Sequence, residues 1–167
     1  MSIVSGDIKF YLTGGAANAD VNASLGGTTS SVLITTASLN NLFDNINAAE
    51  ALGGDSEYRA IAIKNTNVTD TAYNAVLFCD DGAIEGSAST YTTFALDSGT
   101  QTVADESTAP SSPSLTFGTH EGVDNGLALG DIAPEAQVRV WIKRICNASA
   151  AAYSEDKQTL KVRVQTV

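Results

Sequence analysis

The chain has 167 residues, a formal net charge of −10, and 17% charged against 43% hydrophobic residues. That length suits one domain with a single substantial core, and the acidity argues against nucleic-acid binding through bulk electrostatics. Few charges beside much Ser, Thr, Ala and Gly point to a β-sandwich rather than a helical bundle, and no stretch approaches the length of a membrane-spanning helix.

Asp7–Leu12 is the first expected strand, with Ile8, Phe10 and Leu12 on one face. Thr13–Ser30 is rich in Gly, Ala, Asn and Ser and poor in large apolar residues, so it reads as a flexible loop or arm. Ser31–Thr36 is a short β-branched strand. Leu39, Leu42, Phe43, Ile46 and Ala49 fall at helical spacing. The dense Asn content limits this to a turn of helix within a loop, ended by Gly53-Gly54. Glu57–Asn65 and Tyr73–Cys79 are strands. The turn-rich link between them suggests a hairpin, closed beyond its second strand by Asp80-Asp81-Gly82. Thr90–Leu96 is a further strand. Asp97–Pro113 offers almost nothing to bury and reads as a long surface loop. Leu115–Phe117 is a short strand candidate, and Leu127–Ile132 leads through Ala133-Pro134-Glu135 into the C-terminal strands.

Those last strands carry the clearest pattern. In Gln137–Ile145, Val138, Val140 and Ile142 alternate with Arg139, Trp141 and Lys143. In Thr159–Val167, Leu160, Val162 and Val164 alternate with Lys161 and Arg163. A period of two means half-buried strands. About eight strands at these intervals predict an all-β, single-domain antiparallel β-sandwich, jelly-roll or Ig-like, with long polar loops and at most one short helix.

Charge is unevenly spread. Residues 1–136 hold Lys9, Arg59 and Lys64 against seventeen acids, whereas residues 137–167 hold six cations against Glu155 and Asp156. If the two C-terminal strands are neighbours, Arg139, Lys143, Lys161 and Arg163 form a basic band. One reading is a solvated face that discourages edge aggregation. The other is an anchoring surface for an acidic partner, including a second copy of the chain. Trp141 then lies either under a covering loop or at the interface as an anchor.

Sites for chemistry are sparse. His120 is the one histidine, in a Gly-rich loop, and no Gly-x-Ser-x-Gly elbow accompanies it. Asp80-Asp81 and Asp105-Glu106 are adjacent carboxylates; neighbours on a strand point to opposite faces and cannot flank one bond. Cys79 and Cys146 lack metal-ligand spacing; Cys79, in an apolar run, is expected as a buried free thiol, and its bonding to Cys146 is left open. Asp80, Asp81 and Glu85 surround Gly82 without the spacing of a calcium loop. No phosphate-cradling glycine motif appears. The expectation is therefore a non-enzyme with no catalytic residue, cofactor or metal. The start, Met1-Ser-Ile-Val-Ser-Gly-Asp, lacks a basic and then apolar leader, which suggests a cytoplasmic origin.

Three stretches together carry a family resemblance. They are Leu42–Asn67 (LFDNINAAEALGGDSEYRAIAIKNTN), Gln101–Phe117 (QTVADESTAPSSPSLTF) and Leu129–Val164, with Gly54–Arg59 and Ile132–Arg144 the most specific parts. Their order resembles a family of small virion proteins of tailed bacteriophages, the capsid decoration or cement proteins. The resemblance implies a structural protein made in the host bacterial cytoplasm and placed on the capsid exterior. Its partners would be the major capsid protein and further copies of itself, as homotrimers at lattice three-folds. Neither nucleic acid nor membrane is implied. The competing readings are a phage tail or baseplate protein, and a carbohydrate-binding module using Tyr91, Phe94 and Trp141.

Overall fold

A computed structural model describes residues 2–36, 40–79, 90–97, 99, 101–111, 115–152 and 157–165. Among these residues, seven strands form two antiparallel sheets. The strands are β1 (Ile8–Leu12), β2 (Asp55–Asn65), β3 (Ala72–Cys79), β4 (Thr90–Asp97), β5 (Leu127–Ile132), β6 (Gln137–Cys146) and β7 (Leu160–Gln165). The four-stranded sheet runs β1-β2-β6-β4 and the three-stranded sheet β5-β3-β7.

The core lies between the sheets, as the alternation predicts. Ile61, Ile63, Phe94, Val140 and Ile142 from the larger sheet meet Ala75, Leu77, Cys79, Leu129 and Ile132 from the smaller one. Leu160, Val162 and Val164 of β7 pack against the same cluster. Both cysteines are buried free thiols.

Connectivity departs from the expected hairpins. From β2 onward every successive strand crosses to the other sheet, so β2 and β3 are not hydrogen-bonded partners. The Asn65 side chain holds that crossing by donating to the carbonyls of Asp70 (2.8 Å) and Ile132 (3.0 Å). A buried carboxamide with such partners replaces a tight turn by a strap between layers. The C-terminal strands are separated in the same way: β6 is central in the larger sheet, flanked by β2 and β4, while β7 borders β3 in the smaller.

Several local expectations also change. The helix is α1 (Ala48–Gly53), later than the apolar spacing suggested. Asn47 caps it, accepting from the Ala49 and Glu50 amides, while Glu50 accepts in return from the Asn47 amide. Gly54, at φ +79°, ends it. Leu42, Phe43 and Ile46 are irregular chain. Residues 31–36 run beside β1 through two backbone bonds and a bridge at Leu33 without forming a named strand. Residues 115–117 are likewise irregular, and Gly118 next to them bridges Phe94. Leu39 and the Asp80-Asp81-Gly82 and Glu85 segment fall outside the described residues.

Thr13–Ser30 is not a free arm. Where β1 ends, this stretch takes its place along β2. The Ala60 amide donates to the Ser24 carbonyl (2.8 Å), and the Ala60 carbonyl accepts from the hydroxyls of Ser24 (2.7 Å) and Thr13 (2.9 Å). Small hydroxyl residues do here what a strand ladder would otherwise do, so the segment needs no large apolar side chains.

Candidate docking surfaces

The five residues expected at an interface do not share a face. Arg139, Trp141 and Lys143 alternate with core residues of β6 and so point out of the larger sheet. Lys161 and Arg163 alternate with core residues of β7 and point out of the smaller one. The basic band is therefore divided between opposite sides of the sandwich.

Trp141 is fully buried, which removes it as a surface anchor. Its cross-strand neighbours are Ala60 on β2 and Ala95 on β4, both fully buried and both small enough to admit an indole. With Tyr58 and Ala60 it forms a second apolar cluster, closed by Val103, Leu115 and Phe117. Gly26 completes the cover. It sits at φ +91°, and a Cβ there would run into the Gln101 carbonyl and the Trp141 ring. The 13–30 stretch and the loop beginning at Asp97 thus roof the outer face of the larger sheet. They are tied to each other by Gly27 N to Gln101 O (2.9 Å) and Val103 N to Leu25 O (3.1 Å).

The cations under or beside this roof are engaged internally. Lys143 lies 5.7 Å from the Tyr58 ring centre. Arg139 Nη1 is 3.7 Å from Asp97 Oδ2, an oxygen that also accepts from Trp141 Nε1 at 3.2 Å. Arg144, on the core side of β6, pairs with Glu57 and Asp44 and stacks 4.9 Å over Phe43. Arg59 is fully buried and pairs with Glu106 while donating to Asn22. Arg59 also lies 5.4 Å from the Phe43 ring, so one phenyl ring sits between two guanidiniums. Burial pushes the Glu57 carboxyl up, and the Arg144 guanidinium pulls it back only in part. These contacts fasten irregular segments to the sheet. They also assign Glu106, one of the adjacent acids, to an ion pair; Asp105 accepts from Thr108.

The outer face of the smaller sheet is different. Lys161, Arg163 and Gln165 are exposed on β7. Phe78 stands opposite Lys161, Val76 opposite Arg163 and Tyr73 opposite Gln165. Val76 and Phe78 are half-buried, partly covered by the 3-10 turn Val123–Asn125 and Gly126, and Tyr73 is 38% exposed. Apolar and cationic side chains therefore lie side by side on one open sheet face. The sequence signal for the apolar part was the unbroken run Ala75–Cys79, in which inward and outward residues are equally hydrophobic.

The residues considered for chemistry do not converge. His120 Nδ1 lies 3.0 Å from the Asn125 carbonyl, and its ring packs on Phe94. Of the three aromatics considered for a sugar platform, Phe94 and Trp141 are fully buried and Tyr91 is exposed on β4, so they form no common surface. Among the described residues, no group of three or more His, Cys, Asp or Glu is placed to hold a metal ion. Among the same residues, no helix is long and apolar enough to cross a membrane. Comparison with protein-family models, with curated proteins and with solved structures finds no match for this chain.

Proposed function

We propose that this chain is a structural virion protein, a decoration or cement protein that binds the assembled head of a tailed bacteriophage. The observation that carries the reading is the open face of β3 and β7, where Lys161 and Arg163 adjoin Tyr73, Val76 and Phe78. Aromatic and cationic side chains on a solvent-facing sheet suit docking on an acidic protein surface. The resemblance of the 42–67, 101–117 and 129–164 stretches to cement proteins supplies the partner class, the major capsid protein, and the location on the capsid exterior. Self-association into trimers would match lattice three-folds. Each copy would stabilise the shell because it binds the assembled lattice and not free subunits.

The test is to add purified protein to capsids lacking it, then image the particles and record the temperature at which they rupture. Decoration of the head with a raised rupture temperature is expected. Lys161→Glu with Arg163→Glu should reduce occupancy by about tenfold or more, since like charges would then meet across the contact. Wild-type protein that leaves capsids bare, or appears only on tails, refutes head decoration. Undiminished occupancy by the charge-reversed protein refutes the assignment of this face.

A further inference from the structure

A sheet edge leaves every second N–H and C=O of its outer strand without a ladder partner, and folded chains cover or distort such edges. Of the four sheet edges among the described residues, three are managed in this way. Residues 31–36 lie along β1, where Leu12 N donates to the Val32 carbonyl (3.1 Å) and Ile34 N to the Phe10 carbonyl (2.9 Å). Gly118 exchanges both backbone bonds with Phe94 on β4 (2.8 and 3.0 Å). The His120 carbonyl and Gly122 amide then bond to Cys79 of β3, so this strap closes the flank where β5 lies over β4 and β6. The edge of β5 itself is broken by Gly130, at φ +78°, and by shifts of register against β3. The outer edge of β7 is different. Among the described residues no backbone group bonds to it, and its ladder with β3 runs without a shift from Leu160 to Arg163.

The core is also thinnest on this side. Leu77 of β3 and Val140 of β6 are fully buried, whereas Leu160, Val162 and Val164, which pack on the same cluster from β7, stay half-buried. A further strand beside β7 would bond its outward backbone groups and set apolar side chains over that inner row. The outward residues of β7 define the charge of such a strand. Lys161 and Arg163 are both exposed there. Antiparallel pairing of two copies of β7, centred on Val162 or Arg163, would place cations opposite cations and is disfavoured. Carboxylates at the outward positions of the incoming strand would meet those cations instead.

We infer that the outer edge of β7 takes an extended segment of a partner protein as a fourth strand of the smaller sheet, with apolar residues turned to the core and acidic residues turned out beside Lys161 and Arg163. The inference rests on the reading of β7 as a docking element and gives the form and charge of what docks.

The experiment titrates the full chain with the capped peptide Thr-Val-Glu-Val-Glu-Val-Thr and follows amide hydrogen exchange along β7. Companion peptides carry lysine in place of glutamate, the same residues in scrambled order, or N-methyl groups on either the valine or the glutamate amides. Exchange should slow saturably at alternate β7 amides. The lysine peptide should bind about tenfold or more weakly, because like charges then adjoin. Arg163→Glu, on an exposed position, should reverse that preference. Successive N–H groups of a strand point to opposite sides, so methylation of one set should abolish binding and methylation of the other should not. Unchanged exchange along β7, equal binding of the scrambled peptide, or full binding of both methylated peptides overturns the added strand. Slowed exchange without peptide that grows with protein concentration would assign the edge to a second copy and overturn the acidic partner. Decorated capsids with no peptide protection on β7 would sink the strand addition alone; bare capsids with a protected β7 would sink head decoration alone.

Discussion

The two sheets spend similar sequences in different ways. The larger sheet is covered on both faces, by the smaller sheet on one side and by the 13–30 and post-Asp97 segments on the other. The smaller sheet is covered fully on one face only, and its outer side keeps the cations of β7 in water. Both β6 and β7 alternate valine or isoleucine with basic residues, so their patterns look alike. In β6 the intervening positions are nevertheless drawn inside: Trp141 is sealed, Arg139 approaches Asp97, and Lys143 lies near Tyr58. The lesson is that a period of two reports which residues share a face, not whether that face meets solvent.

The strongest way to break this comparison is Trp141→Ala. Emptying the second cluster should cost about 3–5 kcal/mol in denaturant unfolding. The matching truncation on the open face, Phe78→Ala, should cost clearly less, because its ring is only half-buried. Equal losses would mean that the roof over β6 contributes little.

Charge reversal gives the next largest effect. Arg139→Glu would place a second carboxylate beside buried Asp97 and should cost roughly 3 kcal/mol. Arg163→Glu, on an exposed strand face, should change stability by no more than about 0.5 kcal/mol. Similar effects of the two reversals on the denaturation midpoint would erase the distinction between the faces.

Gly26→Ala probes the roof from its other side. The added Cβ meets the Gln101 carbonyl at a backbone angle that L-residues rarely adopt, so a loss of about 1–3 kcal/mol is expected. Amide hydrogen exchange should rise first at Gly27 and Val103, whose bonds join the two covering segments. Unchanged protection there would show that the segments are held independently.

The smallest expected effect is a pH dependence at the Arg144 end of the core. Burial raises the Glu57 pKa, so the folded chain holds that proton more tightly than the unfolded chain does. Stability from this group is then present below the ordinary glutamate range and declines as pH rises toward the raised value. The melting temperature of wild type minus that of Glu57→Gln should therefore fall as pH rises from the ordinary glutamate range. A difference that grows with pH would mean that attraction to Arg144 outweighs burial.

Much of the fold was legible in the chain. Alternation located six of the seven strands closely, and β-branched and aliphatic positions in Glu57–Asn65, Tyr73–Cys79 and Gln137–Ile145 marked the inner faces correctly. The buried outer face of the larger sheet left a fainter trace. In Tyr58–Lys64 the residues that alternate with the isoleucines are Ala60 and Ala62 rather than polar side chains, and a small neutral residue on a strand can be solvated or roofed alike. The Arg59–Glu106 and Arg144–Glu57 pairs had no local signal, because their partners lie 47 and 87 positions apart.

What the amino-acid order determined by itself was local: where strands run, which side chains they place together, and that the layers are β. Backbone sterics and apolar periodicity act over a few residues, so they can be read without knowing the partner. Tertiary structure alone decided that β6 and β7 belong to opposite sheets, that Trp141 lies under a glycine-bearing roof, and that Arg139 comes to rest beside Asp97. Those outcomes depend on which distant segments come to rest on each face, and burial and charge pairing follow from that arrangement rather than from neighbours in the chain.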